Sequence, residues 1–513
     1  MKIFGFNITR NKEKPQKRSF EGAKLNRLNQ DFMSKMIRTN EDIKNNYNVL
    51  VARSEELAKN NADYRKWLRM CQRNIVGPFG IKLNMQAKLA NGELDNYGNS
   101  LLEEHFIKFQ KFGQVTTNKR HSGRSLDKLI VRSWRTTGEV LIRVVKGYDN
   151  EYRLAYQLLD PKSLDVNLNR QRTPYQNKIE MGIEYNEWDV AIAYHFKCGQ
   201  ADSYYGYDPV YSSNPNSTHK RIDASEIRHF YEIEFPNQKR GFPFGQAAMQ
   251  NIYSLGGYFY TELVAADVSS RKMGFYIPPT GEEAETKDDE GNPVTREIEI
   301  TEEAEPGSLG ELPPGWDFKT WDPQHPQQNF PYFVKSQKRN VANGLDVAYN
   351  IFGNDLEGVN FSSIRQGIID ERDAWMDDQQ TFIEQWKDLQ FQDFLGVFLL
   401  SPFSPYAQSA YQRLLDGLKL QPRRWQWVDP LKDAQAALLL MALGGKAPQT
   451  IADELGSDFD DNMVLIEKAL PQFENIQKII SAINQVKKVV DDSVSNNKDK
   501  KSNSEKENED KDE

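Results

Sequence analysis

Apolar residues recur at helical spacing through the first part of the chain. From Gln30 to Arg73, Phe32, Met36, Leu50, Leu57, Tyr64, Trp67 and Leu68 stand among polar neighbours, and Arg53 to Cys71 is the better helix. The run Asn74-Ile-Val-Gly77-Pro-Phe-Gly80 breaks it, since glycine and proline end helices and begin turns. A further helix is expected over 99–112, with Leu101, Leu102, Phe106 and Phe109 on one face, and Ser125 is placed to cap another through Trp134. Between Gly138 and Tyr231 the period shortens to that of strands: Glu139 to Val145, Tyr152 to Leu159, Lys178 to Tyr185, Val190 to Phe196 and Ile227 to Ile233. Residues 20–240 read as one α+β domain.

The pattern then lengthens again. Gln246 to Met273 contains no proline, and at 1.5 Å per residue it could extend about 42 Å. Its apolar and small residues spread over more than one face, which calls for cover on several sides; neighbouring copies of the same helix could supply it. Residues 276–330 are rich in proline and glycine, with strand-like Arg296 to Ile300 and Trp316 to Trp321, and read as a small β excursion because Trp316, Phe318 and Trp321 need burial. A second helix is expected over Phe330 to Phe352. The third long helix begins at Ser362 or Ser363, where Ser363 and Gln366 have capping-box spacing, and Ile364, Ile368, Trp375, Phe382, Trp386, Leu389 and Phe394 follow. After Trp425-Gln-Trp-Val-Asp-Pro430 come a helix over Leu431 to Leu443, a stop at Gly444-Gly445, a new start at Pro448 and a cap at Asp458. From about Asp491 the chain is nearly all charged or small polar and is expected not to order itself.

Composition narrows the chemistry. The 513 residues are 38% hydrophobic, enough for real cores, yet the mean hydropathy of −0.73 implies much solvated surface or interface. A net charge of −8 argues against a general polyanion binder, although the first thirty residues are basic and 282–311 are acidic. Cys71 and Cys198 have neither disulfide-framework nor zinc spacing. No apolar run suggests a signal peptide or a membrane span; the most membrane-like window, Ile252 to Val268, carries Glu262 and Asp267. Neither GxxxxGK[ST], GxGxxG nor GxSxG occurs, and Gly444-Gly-Lys446 reads as a helix stop. The six histidines form no HExxH or HxxxH pair, and His195 and His229 read as structural. Gln449 to Gly456 imitates the start of a helix-turn-helix, but Asp458, Asp460, Asp461 and Glu467 would repel phosphate where a recognition helix must approach it. The expectation is therefore no catalytic residue, cofactor or metal.

One ordered set of residues carries a resemblance. Arg53 with Asn60-Asn61-Ala62, Asn74-Ile-Val-Gly77, Trp134 with Gly138-Glu139, Leu159-Asp160, Gly182-Ile-Glu184, Ile227-Arg-His229, Gln238-Lys-Arg-Gly-Phe-Pro243, Glu305-Pro-Gly307, Asn360-Phe-Ser-Ser-Ile-Arg365 and Trp427-Val-Asp-Pro430 together resemble the lambda-type phage portal proteins, over about 20–475. The resemblance implies an α+β, portal-like architecture. Beyond a basic arm at 1–19, 20–245 would be a wing with a β-rich part at 138–233. Residues 246–274 and 330–352 would be stem helices, 275–329 a clip and 353–362 a tunnel loop. A long wing helix and its connection would occupy 363–424 and a helical crown 425–482; the basic arm at 1–19 and a charged, largely disordered tail expected at 483–513 depart from the family pattern. It further implies a homo-oligomeric ring, usually a dodecamer, at one capsid vertex of the virion, assembled in the bacterial host cytoplasm. Double-stranded DNA would be packaged and ejected through it without sequence preference. The implied partners are the large terminase subunit, the major capsid protein or scaffold, and head-tail connector proteins, with no membrane.

Within that frame the residues suggest sites. A conduit should not grip DNA, so sparse cations are expected on its wall. Lys335, Lys338 and Arg339 are candidates, unless they pair with acids of an adjacent subunit. The loop candidates are Gly353, Asp355, Glu357, Gly358, Val359, Asn360 and Phe361: glycines for unusual backbone angles, acids that repel phosphate, apolar residues that pack on a wall. They read as a mobile constriction that contacts DNA, with a plain helix-to-helix turn as the simpler alternative. Glu297, Glu299, Glu302, Glu303 and Glu305 offer an acidic docking surface for a motor, or merely a solubilising loop. The competing function is a monomeric or low-order adaptor or minor capsid protein without a DNA channel.

Overall fold

The computed structural model describes residues 2–3, 6–7, 38–198, 218–270, 274–277, 286–287, 293–294, 317–320, 329–357 and 360–469. The chain divides into two compact units, one made of Met1–Glu56, Trp134–Leu141 and Leu159–Gln246, the other of Leu57–Ser133, Ile142–Leu158 and Ala247–Glu513.

In the first unit, Lys178–Glu180, Ile183–Tyr185, Ala191–Lys197 and His219–Asp223 form a four-stranded antiparallel sheet in chain order. The run expected as one strand over 178–185 is a hairpin. Met181 and Gly182 both take positive φ (50° and 84°), the two-residue turn whose twist matches paired strands, so Glu180 faces Ile183. Leu141, Leu159, Leu164, Ile183, Tyr194, Phe196, Ile222 and Ile227 form its core. Ile43, Tyr47 and Val51, one helical stripe, pack with Val166, Met181 and Phe242.

A buried ionic cluster sits in this unit. Glu139 and Arg240 are fully buried; Arg240 Nε donates to both Glu139 oxygens (2.8 Å each), its Nη2 also meets Oε1, and its other protons go to the carbonyls of Met181 (3.0 Å), Pro161 (3.2 Å) and Leu164 (3.4 Å). Tyr47 Oη donates to Glu139 Oε1 (2.7 Å) and His229 Nε2 to Oε2 (3.0 Å). Burial pushes Glu139 up, but Arg240 and His229 outweigh it and hold the carboxyl at about 2. His195, bonded to Glu184 (3.2 Å), and His229 are both held by carboxylates.

The second unit is built on aromatic rings. Phe106 meets Phe394 (5.2 Å between centroids), Phe109 stacks on Phe394 (5.4 Å), and Tyr156 meets Trp386 edge-on (5.1 Å). Trp386 Nε1 donates to Asp127 (2.8 Å), beside Lys387 Nζ (3.1 Å). The helix expected over 53–71 is split: Thr39–Asn60 ends, and Asn61 caps Ala62–Cys71 by accepting from Tyr64 N (2.9 Å). The helix Gly123–Thr137 opens on Ser122, not Ser125; each hydroxyl accepts from the other's backbone N–H. Lys82–Met85 pairs antiparallel with Leu418–Gln421, a pairing across more than 300 residues that four-residue strands did not signal.

Gly274–Ile277 pairs antiparallel with Asp317–Thr320, which places a strand inside the expected Trp316 to Trp321 run; Arg296 to Ile300 lies outside the described residues. Helix Pro430–Ala442 stops at Gly444 (φ 72°), a new helix runs Pro448–Glu454, and Asp458 accepts from the N–H groups of Asp460 and Asp461 (2.9 and 3.0 Å). No helix among the described residues is long and apolar enough to cross a membrane.

Candidate functional site

The helix Gln246–Ser270 runs antiparallel to Phe330–Gly344. Tyr258 lies on Phe330 and Phe333 (5.8 and 5.3 Å), Phe259 on Phe330 (6.1 Å), and at the other end Gly344 comes so close to Ala248 that a Cβ would meet its Cβ at 3.1 Å. One stripe of the first helix, Ala248, Met249, Ile252 and Leu255, is buried. Beyond it Tyr253, Tyr260 and Leu263 are each more than two-thirds exposed, so the single chain covers only one side of a helix whose sequence asks for more.

The second helix is shorter than the expected 330–352. It ends at Gly344, the chain turns through Leu345 and Asp346 (φ 53°), and a one-turn helix Tyr349–Gly353 follows. Tertiary contacts hold this break: Leu345 is buried, and Trp67 Nε1 donates to its carbonyl (3.1 Å), a bond a continuing helix would have kept for itself. Asn354, not a glycine, takes the left-handed position after that turn (φ 52°). Lys66 Nζ then collects the helix's loose carbonyls, donating to Ile351 O (2.8 Å), Phe352 O (2.7 Å) and Asn354 Oδ1 (2.7 Å).

This places the predicted site residues. Lys335 pairs with Asp355 (2.6 Å) and Lys338 approaches Asp63 (3.8 Å), so both cations meet acids of their own chain. Arg339 is exposed and lies over the Tyr349 ring (5.3 Å). Asp355 also accepts from Tyr349 Oη (2.8 Å) and Glu357 N (3.1 Å); Lys335, then Tyr349, then that N–H hold it at about 2, while burial and Asp355 push Tyr349 up to about 12. The first part of the loop, 354–357, is therefore tied down. Gly353 ends the short helix instead of supplying an unusual angle, and Glu357 is exposed. Gly358 and Val359 lie outside the described residues, as do Glu297, Glu299, Glu302, Glu303 and Glu305. The next helix starts at Phe361, and its cap is Asn360, which accepts from Ser363 N (2.8 Å), instead of Ser362 or Ser363. Sequence reading missed Lys66 and Tyr349; the only signal for either was the Gly353-Asn354 pair, a helix ending that needs its carbonyls met.

Residues 25–379 match the family model described as phage portal protein, lambda family. The chain belongs to that family. It is a structural family and not an enzymatic one. A probable portal protein of Halomonas phage phiHAP-1 is 30% identical over 473 residues, 91% of this chain and 88% of the relative. Among solved structures, the neck of an empty gene transfer agent particle shares 12% identity at a TM-score of 0.42, and the virion of a native one 11% at 0.42, each over 80% of this chain and 93% of the other. The portal family's model spans both helices of the pair and the tied loop.

Proposed function

We propose that copies of this chain assemble into a ring, a dodecamer at one vertex of a phage capsid, through which double-stranded DNA is packaged and later ejected. Membership of the portal family supports this reading. The observation that carries it is the helix Gln246–Ser270, buried along one stripe and exposing Tyr253, Tyr260 and Leu263 elsewhere. Isolated exposed apolar residues are ordinary, but several large ones on a helix already paired on one side fit an interface with neighbours.

On this reading the helix pair is the stem, 275–329 the clip that docks the terminase motor through Glu297, Glu299, Glu302, Glu303 and Glu305, and head-tail connectors bind after packaging. Arg339 is the cation of the original three best placed to face DNA, because Lys335 and Lys338 meet acids of their own chain.

Negative-stain electron microscopy with particle mass on the same sample tests it. Rings with a central hole and a mass matching a dodecamer of 59.3 kDa chains are expected. A compact monomer across concentration and salt would instead favour an adaptor without a channel.

A further inference from the structure

Two helices of the second unit carry cations every fourth residue. Arg65, Arg69 and Arg73 follow one another along Ala62–Cys71 and the π-helical turn Gln72–Val76; Arg124, Lys128 and Arg132 do so along Gly123–Thr137. Residues four apart share a helix face, so each set forms a row. Three hydrogen bonds lay the rows side by side and antiparallel: Arg132 to Ala58 O (3.4 Å), Gln72 Nε2 to Lys128 O (2.8 Å) and Arg124 to Pro78 O (2.7 Å). Arg65, Arg69, Arg73 and Arg124 are exposed, and Lys128 and Arg132 are half-buried.

The acids of these helices turn elsewhere. Asp63 faces Lys338, and Asp127 is buried against Trp386 and Lys387. Among the described residues, none of the six cations forms an ion pair. Burial, and then Arg65 and Arg69, pull Arg132 down; burial, and then Arg124 and Arg73, pull Lys128 down. Like charges set this close repel one another, and an anion spanning them would relieve that repulsion.

The patch is chemically selective. Five of its six cations are arginines, whose planar forks suit phosphate oxygens. Steps of four residues put successive cations about 6 Å apart, near the roughly 7 Å axial advance of alternate phosphates on one strand. Neither helix exposes a large apolar side chain, the anchor that a protein partner would bury.

We propose that this double row binds the phosphate backbone of double-stranded DNA, independently of sequence, as a site distinct from the helix pair. So dense a cation patch grips instead of letting DNA slide, so it suits a held segment and not the one in transit. This goes beyond the conduit reading and does not need it.

The test uses the full chain and a labelled mixed-sequence duplex, with affinity measured across a salt series. Substituting Arg65→Gln, Arg69→Gln and Arg132→Gln together should weaken binding about tenfold or more and lower the log–log salt slope by about 2.7, because three phosphate contacts are lost. Particle mass should not change. Affinity and slope equal to the parent would overturn the proposal. Loss of ring mass in the variant would assign the patch to a neighbouring copy, and preferential binding of polyglutamate over the duplex would assign it to an acidic protein; either overturns the DNA assignment. Photo-cross-linking of the unaltered chain to the duplex is independent of variant folding: cross-links within 62–73 and 123–134 support the site, and cross-links confined to other peptides refute it. Rings that form while these measurements fail leave the conduit reading intact.

Discussion

Two carboxylates of this chain are held at about 2 by very different means. Glu139 in the first unit is fully buried, and Arg240 and His229 must overcome the cost of burial to keep it charged. Asp355 in the second unit carries only a minor burial cost, which Lys335, Tyr349 and one backbone N–H readily outweigh. Equal acidity therefore hides unequal dependence. Removing a partner from Glu139 strands a charge without water; removing one from Asp355 lets water take its place.

The largest effect that sharpens this contrast is expected for Arg240→Met. The substitution should cost about 3–5 kcal/mol in denaturant unfolding, because Glu139 stays buried without its main counter-charge. A loss as small as that of a surface pair would break the comparison.

Acid comes next. Glu139 has its folded value depressed from 4.5 to about 2, so its contribution is complete above about 4.5 and is lost as pH falls through about 2. His229 is pushed below 6.5 by burial, so the unfolded chain takes up a proton that the fold resists, and stability starts to fall below about 6.5. Thermal unfolding across pH 7 to 4 should show this fall, and His229→Gln should flatten its upper part; an unchanged profile would remove His229 from the account.

The smallest effect is expected for Lys335→Met. The unfolding midpoint should stay within experimental scatter, while carboxyl NMR shows Asp355 titrating closer to its ordinary 3.8. A marked loss of stability would mean that the tied loop is as interdependent as the buried cluster.

Legibility follows the range of the forces involved. Apolar periodicity located the long helices, the strand runs near 139–145, 190–196 and 227–233, and the Gly444 and Pro448 boundaries, because each is set by residues a few positions apart. Caps were read imperfectly: Ser125 and Ser363 had the right chemistry, but Ser122 and Asn360 hold the positions, since several polar residues near a helix start can each offer an oxygen. The loop candidates were legible as a segment. Their bonds were not, because Lys66 and Lys335 reach the loop from distant positions that no local spacing connects to it, and Tyr349 meets Asp355 only once the one-turn helix forms.

By itself the sequence determined the family, through an ordered set of short motifs, and the helix and strand content, through periodicity. Only the tertiary structure decided that the 330–352 run breaks at Leu345, that Lys335 and Lys338 meet acids of their own chain, and that Asp63 and Asp127 turn away from two antiparallel rows of cations. A local pattern fixes which face of a helix is apolar or charged. What that face meets depends on chain closure over hundreds of residues, where a single buried indole or carboxylate decides among arrangements that the local pattern leaves equal.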